Sequence, residues 1–302
     1  MKTTPITASD LRNSVVAVPP LCRKADLTLN DAANTKLIRH LEAGGVTTLL
    51  YGGNANLYNI AVSEYPLLLE YLASAVAADT LVVPSVGPFY GNIVDQAAIL
   101  KRFHFPTAML LPTLFPAQPA GVQTAVRHFV GRSGIPAVLY IKEEGYITPE
   151  GAAQLVNDGL ISWIKYAIVR SDPAKDAFLS KLVQLVNPDL IVSGIGEQPA
   201  IIHVRDFGCA GYTSGCVCVN PARSADMLRA IAAKNYEEAG RLREIYRPLE
   251  DLRNAHGPIP VLHHAVELAG ITETGPFLPL LAPLADDLLP PIAAAAKALL
   301  AA

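Results

Sequence analysis

The sequence predicts an α/β protein built as a (β/α)8 barrel with extra helices at its C-terminal end. Three observations lead there. Short apolar, β-rich runs recur eight times between residues 14 and 212, amphipathic stretches of helical period separate them, and one run ends in a lysine. Strand and helix alternating every ~20–35 residues is the mark of parallel βαβ units.

In chain order the runs fall at 14–18, 46–51, 81–86, 108–111, 137–140, 161–165, 190–193 and 208–212. Helical periodicity occupies 31–43, 63–77, 92–102, 120–131, 148–158, 173–186 and 198–207, several of these opening on Ser, Thr, Asp or Asn, whose side chains cap free N–H groups. An open doubly wound sheet alternates in the same way. No Gly-rich phosphate turn follows the first run, however, and Tyr51-Gly52-Gly53-Asn54-Ala55-Asn56 after the second fits neither G-x-G-x-x-G nor a P-loop. Beyond the eighth run, residues 220–302 read almost wholly as helix, at 225–234, 236–245, 263–269 and the Ala-rich 292–302. With no Gly/Ser linker between them, a barrel over 1–221 and a helical region over 222–302 are expected to pack as one domain.

At 302 residues and 51% hydrophobic the chain supports a substantial core, and its net charge of −3 lacks the basic excess of a nucleic-acid binder. No apolar stretch reaches the ~20 residues that span a bilayer. Met1 to Pro5 lacks the apolar centre of a secretory signal, so a cytoplasmic location is expected. Of the four cysteines, Cys209, Cys216 and Cys218 cluster without a CxxC pair or an adjacent histidine and read as small buried hydrophobes. His40, His203, His263 and His264 fall on helical segments and form no metal-binding pair, so neither metal nor cofactor is expected.

Lys165 closes the run Ile161-Ser162-Trp163-Ile164-Lys165, and Tyr140 closes the preceding run Ala137-Val138-Leu139-Tyr140. Adjacent parallel strands deliver both to one mouth. An ammonium group at a buried strand end is costly unless it is used, and desolvation turns it toward a neutral, nucleophilic amine. The bland alternative is a lysine that snorkels from a strand end beside a tyrosine that caps the core. In a barrel the C-terminal strand ends face the active site, so Asn54, Tyr140, Lys165, Gly194 and Thr213 are expected to converge.

These residues resemble the dihydrodipicolinate synthase and N-acetylneuraminate lyase superfamily of class I aldolases. Residues 161–165 match its Ile-x-Gly-Ile-Lys strand, and Leu139-Tyr140-Ile141 stands where it carries a Leu-Tyr-Asn-like motif. Gly44-Gly45-Val46, Ser63-Glu64-Tyr65, Ser193-Gly194, Gly211-Tyr212-Thr213-Ser214 and Asn220-Pro221 extend the likeness over 12–300. The resemblance implies a Schiff-base lyase acting on pyruvate or a sugar-derived 2-oxo acid, with Lys165 as imine former and Tyr140 as proton shuttle. It also implies a homo-oligomer, dimer or tetramer. The run 277–281 and the Ala-rich tail read as surfaces for such contacts.

Departures shape the expected activity. The family's carboxylate loop, Gly-Thr-Thr-Gly-Glu, is replaced by Gly52-Gly53-Asn54-Ala55-Asn56, leaving the amides of Gly53 and Asn54 and the Asn54 side chain as carboxylate donors. The arginine that follows the tyrosine in dihydrodipicolinate synthase is absent; in 141–145 only Lys142 supplies a cation, and Pro112-Thr113-Leu114 replaces Pro-Tyr-Tyr. True dihydrodipicolinate synthase activity is therefore not expected. Tyr212-Thr213-Ser214 looks more like the turn of the keto-deoxy-glucarate dehydratase branch, in which Glu197 serves as an extra acid or base, or else is a helix-start charge. Asn56 and Tyr58 are read either as donors to substrate hydroxyls or as loop formers facing water. A different aldolase or hydratase chemistry, or a lapsed barrel that binds a small carboxylate as sensor or scaffold, remain the alternatives.

Overall fold

The computed structural model describes residues 1–302. Its strands are β1 (Val16–Ala17), β2 (Thr48–Leu50), β3 (Leu81–Val83 and Ser85–Val86), β4 (Ala108–Leu110), β5 (Ala137–Ile141), β6 (Ile161–Tyr166), β7 (Ile191–Ser193) and β8 (Gly211–Ser214). All pairings are parallel, and β1 lies between β2 and β8. Pro84 splits β3 because it has no N–H to give. Its first piece pairs with β2 and its second with β4, so nine strand segments make eight staves and the ring closes through Pro84. The strands are apolar on both faces because helices cover them outside and side chains fill the barrel inside.

The register between β5 and β6 decides which side chains meet at the barrel mouth. Ala137 pairs with Ile161, but Val138 pairs with Trp163, so Ser162 is an extra residue on β6. Its hydroxyl donates to the Ala137 carbonyl at 3.1 Å and meets Thr107 Oγ1 at 2.7 Å, which holds the bulge in place. From there on Tyr140 lies opposite Lys165; without the extra residue it would lie opposite Ile164. Partners in a parallel pair share a face, and one step of register turns every side chain over.

Helix positions follow the sequence periodicity, with caps where oxygen side chains open them: Asn30 accepts from Ala33 N, Thr148 from Gly151 N and Asp176 from Leu179 N. Two of the boundaries that differ from the sequence reading bear on the site. The eighth strand begins at Gly211 and includes Thr213 and Ser214, which were expected in a turn beyond it. The helix expected at 236–245 runs on as Tyr236–His256, through Pro248. A proline removes one hydrogen bond, whereas the added turns bury Tyr246, Leu249, Glu250 and Arg253 against the barrel.

The eighth barrel helix, Pro221–Ala232, spans the 221/222 boundary, and the helices Tyr236–His256, Pro258–Leu268 and Leu289–Ala301 follow it. One apolar cluster runs from Leu11 through the strands to Ile292, Ala296 and Leu299. That packing corrects the expected contact surfaces. Phe277 and Leu278 are buried, and the last helix turns its apolar side inward, leaving only Leu280 strongly exposed in that run. Exposed large apolar side chains gather elsewhere, where Phe89, Tyr90, Leu114 and Phe115 surround a groove of about 850 Å³ beyond β3 and β4. All four cysteines are free and buried. No helix is long and apolar enough to cross a membrane.

Candidate active site

A cavity of about 580 Å³ opens at the C-terminal ends of the strands. Asn54, Tyr140, Lys165, Gly194 and Thr213 all line it, as their strand-end positions require. Lys165 is 6% exposed, and its Nζ stands 4.3 Å from the centre of the Tyr140 ring. Burial, and then the positive charges of Lys142 and Arg253, lower the Lys165 pKa to about 7. The ring face favours the ammonium form and opposes that shift. Burial raises the Tyr140 hydroxyl to about 12, so it remains a phenol. A half-neutral amine at physiological pH beside a protonated phenol suits attack on a carbonyl followed by proton transfer.

Gly194 is what lets β7 end against this lysine. A Cβ there would stand 2.8 Å from the Tyr166 carbonyl and 2.9 Å from Lys165 Cγ, and the Gly194 N–H donates to that same carbonyl at 2.6 Å. Tyr166, the next residue on β6, turns outward: its hydroxyl donates to Asp176 Oδ2 at 2.5 Å, and Arg170 bonds both Asp176 and Glu144.

Three of the residues expected to bind substrate do not line the cavity. Asn56 takes a left-handed conformation (φ 55°), is 3% exposed, and accepts from Asn59 Nδ2 at 2.8 Å, so it forms the loop. The Gly53 carbonyl closes the same turn by accepting from Asn56 N at 2.8 Å. Glu197 points away into a dry layer behind β7 and β8, where its Oε1 accepts from Ser224 Oγ at 2.9 Å. It lies beside Glu250, whose Oε1 accepts from Glu197 N at 2.9 Å. Burial raises both carboxyls, and for Glu250 the neighbouring Glu197 charge raises it further.

Asn54 reaches the cavity but is also tied into the scaffold. Its Nδ2 donates to the Val18 carbonyl at 3.1 Å, and its own carbonyl accepts from His263 Nε2 at 2.9 Å. Burial keeps His263 neutral, its pKa lowered to about 4.

Two cations were missed in the sequence. Arg170 and Arg253 line the cavity, so Lys142 is not its sole added positive charge, and Lys142 itself is exposed. Arg253 is on the stretch of helix beyond Pro248 that the periodicity did not reach. One signal was present: Leu242, Tyr246, Leu249, Glu250 and Arg253 form a single helical stripe, and a Glu and an Arg on an otherwise apolar stripe mark a buried polar cluster.

A closed parallel barrel carrying a lysine at the end of its sixth strand defines the class. The sequence model of the "Dihydrodipicolinate synthetase family" matches residues 13–299. The chain belongs to that family, whose members are lyases and aldolases. No curated protein sequence matches it. Among solved structures, dihydrodipicolinate synthase of Oceanobacillus iheyensis is similar at 18% identity and TM-score 0.82, over 96% of this chain and 98% of that one. The dihydrodipicolinate synthase of Cyanidioschyzon merolae with lysine bound gives 17% identity and TM-score 0.85, over 96% and 98%. The Ruminococcus gnavus sialic acid aldolase gives 16% and 0.82, over 96% and 97%. At such identities the likeness speaks for the fold.

Proposed function

We propose that the protein is a Schiff-base lyase, an aldolase or dehydratase, acting on pyruvate or a sugar-derived 2-oxo acid through an imine on Lys165 with Tyr140 as proton shuttle. The observation that carries this reading is the lowered, cavity-facing amine of Lys165 4.3 Å from the Tyr140 ring. The neutral amine adds to the substrate C2 carbonyl. The Tyr140 phenol gives its proton to the departing hydroxyl, water leaves, and an iminium remains. In a dehydration, loss of a C3 proton gives the enamine, which expels the C4 hydroxyl as water. In an aldol cleavage, the C4 hydroxyl gives up its proton, the C3–C4 bond breaks, the C4 fragment leaves as an aldehyde and the enamine is reprotonated at C3. Hydrolysis of the imine then returns the amine and the 2-oxo acid product. Asn54, Thr213 and the backbone at Gly194 are the groups available to hold the substrate, and Gly53, Asn56 and Glu197 are not.

True dihydrodipicolinate synthase activity is not part of this reading, because the 52–56 loop has lost the threonine pair and no arginine follows Tyr140. A glucarate-type dehydration would proceed without Glu197. A cytoplasmic homo-oligomer is the expected setting, with a second copy over the face that carries Phe89, Leu114 and Phe115, the last of these 84% exposed. Light scattering of the wild type and of Phe115→Asp tests that contact; a wild-type monomer at micromolar concentration would refute it.

The decisive experiment is incubation with pyruvate or a longer 2-oxo acid, reduction with borohydride, and peptide mass mapping. An adduct on Lys165 is expected. No adduct with any 2-oxo acid, while the fold is intact, would leave the lapsed, carboxylate-binding barrel in its place.

A further inference from the structure

The lining of the cavity is electrically one-sided. Lys142, Lys165, Arg170 and Arg253 contribute to it, and no Asp or Glu does, in a chain whose net charge is −3. Lys165 is reserved for the imine. Arg170 is matched by Asp176 and Glu144, and Lys142 reaches into solvent.

Arg253 is different. Its side chain is 10% exposed, yet its bonds go to neutral acceptors: Nη2 to the Ile195 carbonyl at 2.6 Å and to Asn254 Oδ1 at 2.8 Å, and Nε to Asn254 Oδ1 at 3.2 Å. The nearest carboxylate, on Glu250, stands 3.8 Å away and shares its buried layer with Glu197. Two carboxyls packed together out of water cannot both ionise, so the pair carries less charge than its formula suggests. Nη1 has no hydrogen-bond partner, and Gly196 lies against it: a Cβ there would come within 2.9 Å of Nη1 and would collide with Glu250 Oε1. A partly desolvated guanidinium with an unused nitrogen and a weakened counter-charge is suited to receive an oxyanion.

One carboxylate does not account for this arrangement. The C1 carboxylate of a 2-oxo acid adjoins the carbon bound to Lys165, and Asn54 and Thr213 offer it an amide and a hydroxyl from β2 and β8. Arg253 hangs from Ile195, beyond β7, three strands round the ring from β2. We propose that Arg253 binds a second, distal oxyanion, which makes the substrate a 2-oxo acid with a carboxylate or phosphate at its far end. The proposal rests on the imine reading for its chemistry, but its recognition step is measurable without an imine.

The test is calorimetric binding of chain-matched acids to the full-length protein. 2-Oxoglutarate and 2-oxovalerate share five carbons and differ in the distal carboxylate; 2-oxo-4-phosphonobutyrate carries a phosphonate there; glutarate and valerate repeat the comparison without a ketone. Wild type is expected to bind the dianions at least tenfold tighter than the monoanions, with the carboxylate and phosphonate arms deciding which oxyanion it prefers. Arg253→Gln should lose that preference by weakening only the dianions, while Arg253→Lys retains part of it. A wild-type preference near one, a preference unchanged in folded Arg253→Gln, or equal weakening of monoanion and dianion would each overturn the proposal. If Arg253→Gln does not fold, Arg253→Lys and the wild-type salt response decide: a preference insensitive to both overturns it. Glutarate preference without any Lys165 adduct would remove the imine reading and leave the Arg253 receptor standing.

Discussion

The two sides of the cavity mouth are built on different terms. On the β1–β2 side, Asn54 is bonded on its side chain to Val18 and on its carbonyl to His263, and Gly53 and Asn56 close the loop on itself. On the β6–β7 side, Lys165 and Arg253 line the cavity with Lys165 Nζ and Arg253 Nη1 left without hydrogen-bond partners, and glycines 194 and 196 clear the space around them. One side spends most of its polar groups on holding shape, and the other keeps them free for a ligand. Losing a family motif from the first side is therefore compatible with chemistry on the second.

The sharpest way to break this contrast is Lys165→Ala, which should abolish adduct formation and lower turnover by at least ~10³-fold. Turnover surviving that change would end imine catalysis. Tyr140→Phe should lower kcat by roughly 10²–10⁴-fold with KM little changed, and still permit a trapped adduct on Lys165. Because burial lowers Lys165 to about 7, the initial rate of adduct formation should rise with pH through that value and then level; a rate still climbing about tenfold per pH unit up to pH ~8.5 would show the amine is not desolvated.

Asn54→Ala probes the other side. It should cost about 1–2 kcal/mol in denaturant unfolding, from the lost bond to Val18, and raise KM by roughly tenfold as a donor to the C1 carboxylate is lost, with kcat little changed. An activity loss matching that of Tyr140→Phe would erase the contrast. The smallest effect is expected at Glu250→Gln. Burial and the Glu197 charge raise the Glu250 carboxyl, so the folded chain holds a proton that the unfolded chain releases above pH ~4.5. Wild-type stability from this group is thus greatest below that pH and falls as pH rises. Glutamine has no charge to suppress, so the melting-temperature gain of the variant should widen from pH 5 to pH 8.

Much of the barrel was legible because its physics is local. Eight apolar runs and capped helical periods name eight staves whatever their exact pairing, and the lysine and tyrosine at strand ends were visible in the same pattern. The register was not. Nothing in residues 161–165 announces that Ser162 is looped out, yet that single extra residue is what puts Tyr140 rather than Ile141 opposite Lys165. The 52–56 loop misled for a related reason: amides and an asparagine suit a ligand or a turn equally well, and only the folded loop, in which Asn56 bonds Gly53 and Asn59, shows that it serves the turn. Arg253 was hidden by Pro248, a residue that usually ends a helix and here is overridden by the burial beyond it.

The long helix through Pro248 has an evolutionary corollary. It belongs to none of the eight repeating units, so with Arg253 as the proposed distal receptor, substitutions at position 253 and its neighbours would retune which acids are accepted while the strands bearing Lys165 and Tyr140 stand still. Reaction type and substrate preference would then be mutable on separate stretches of chain.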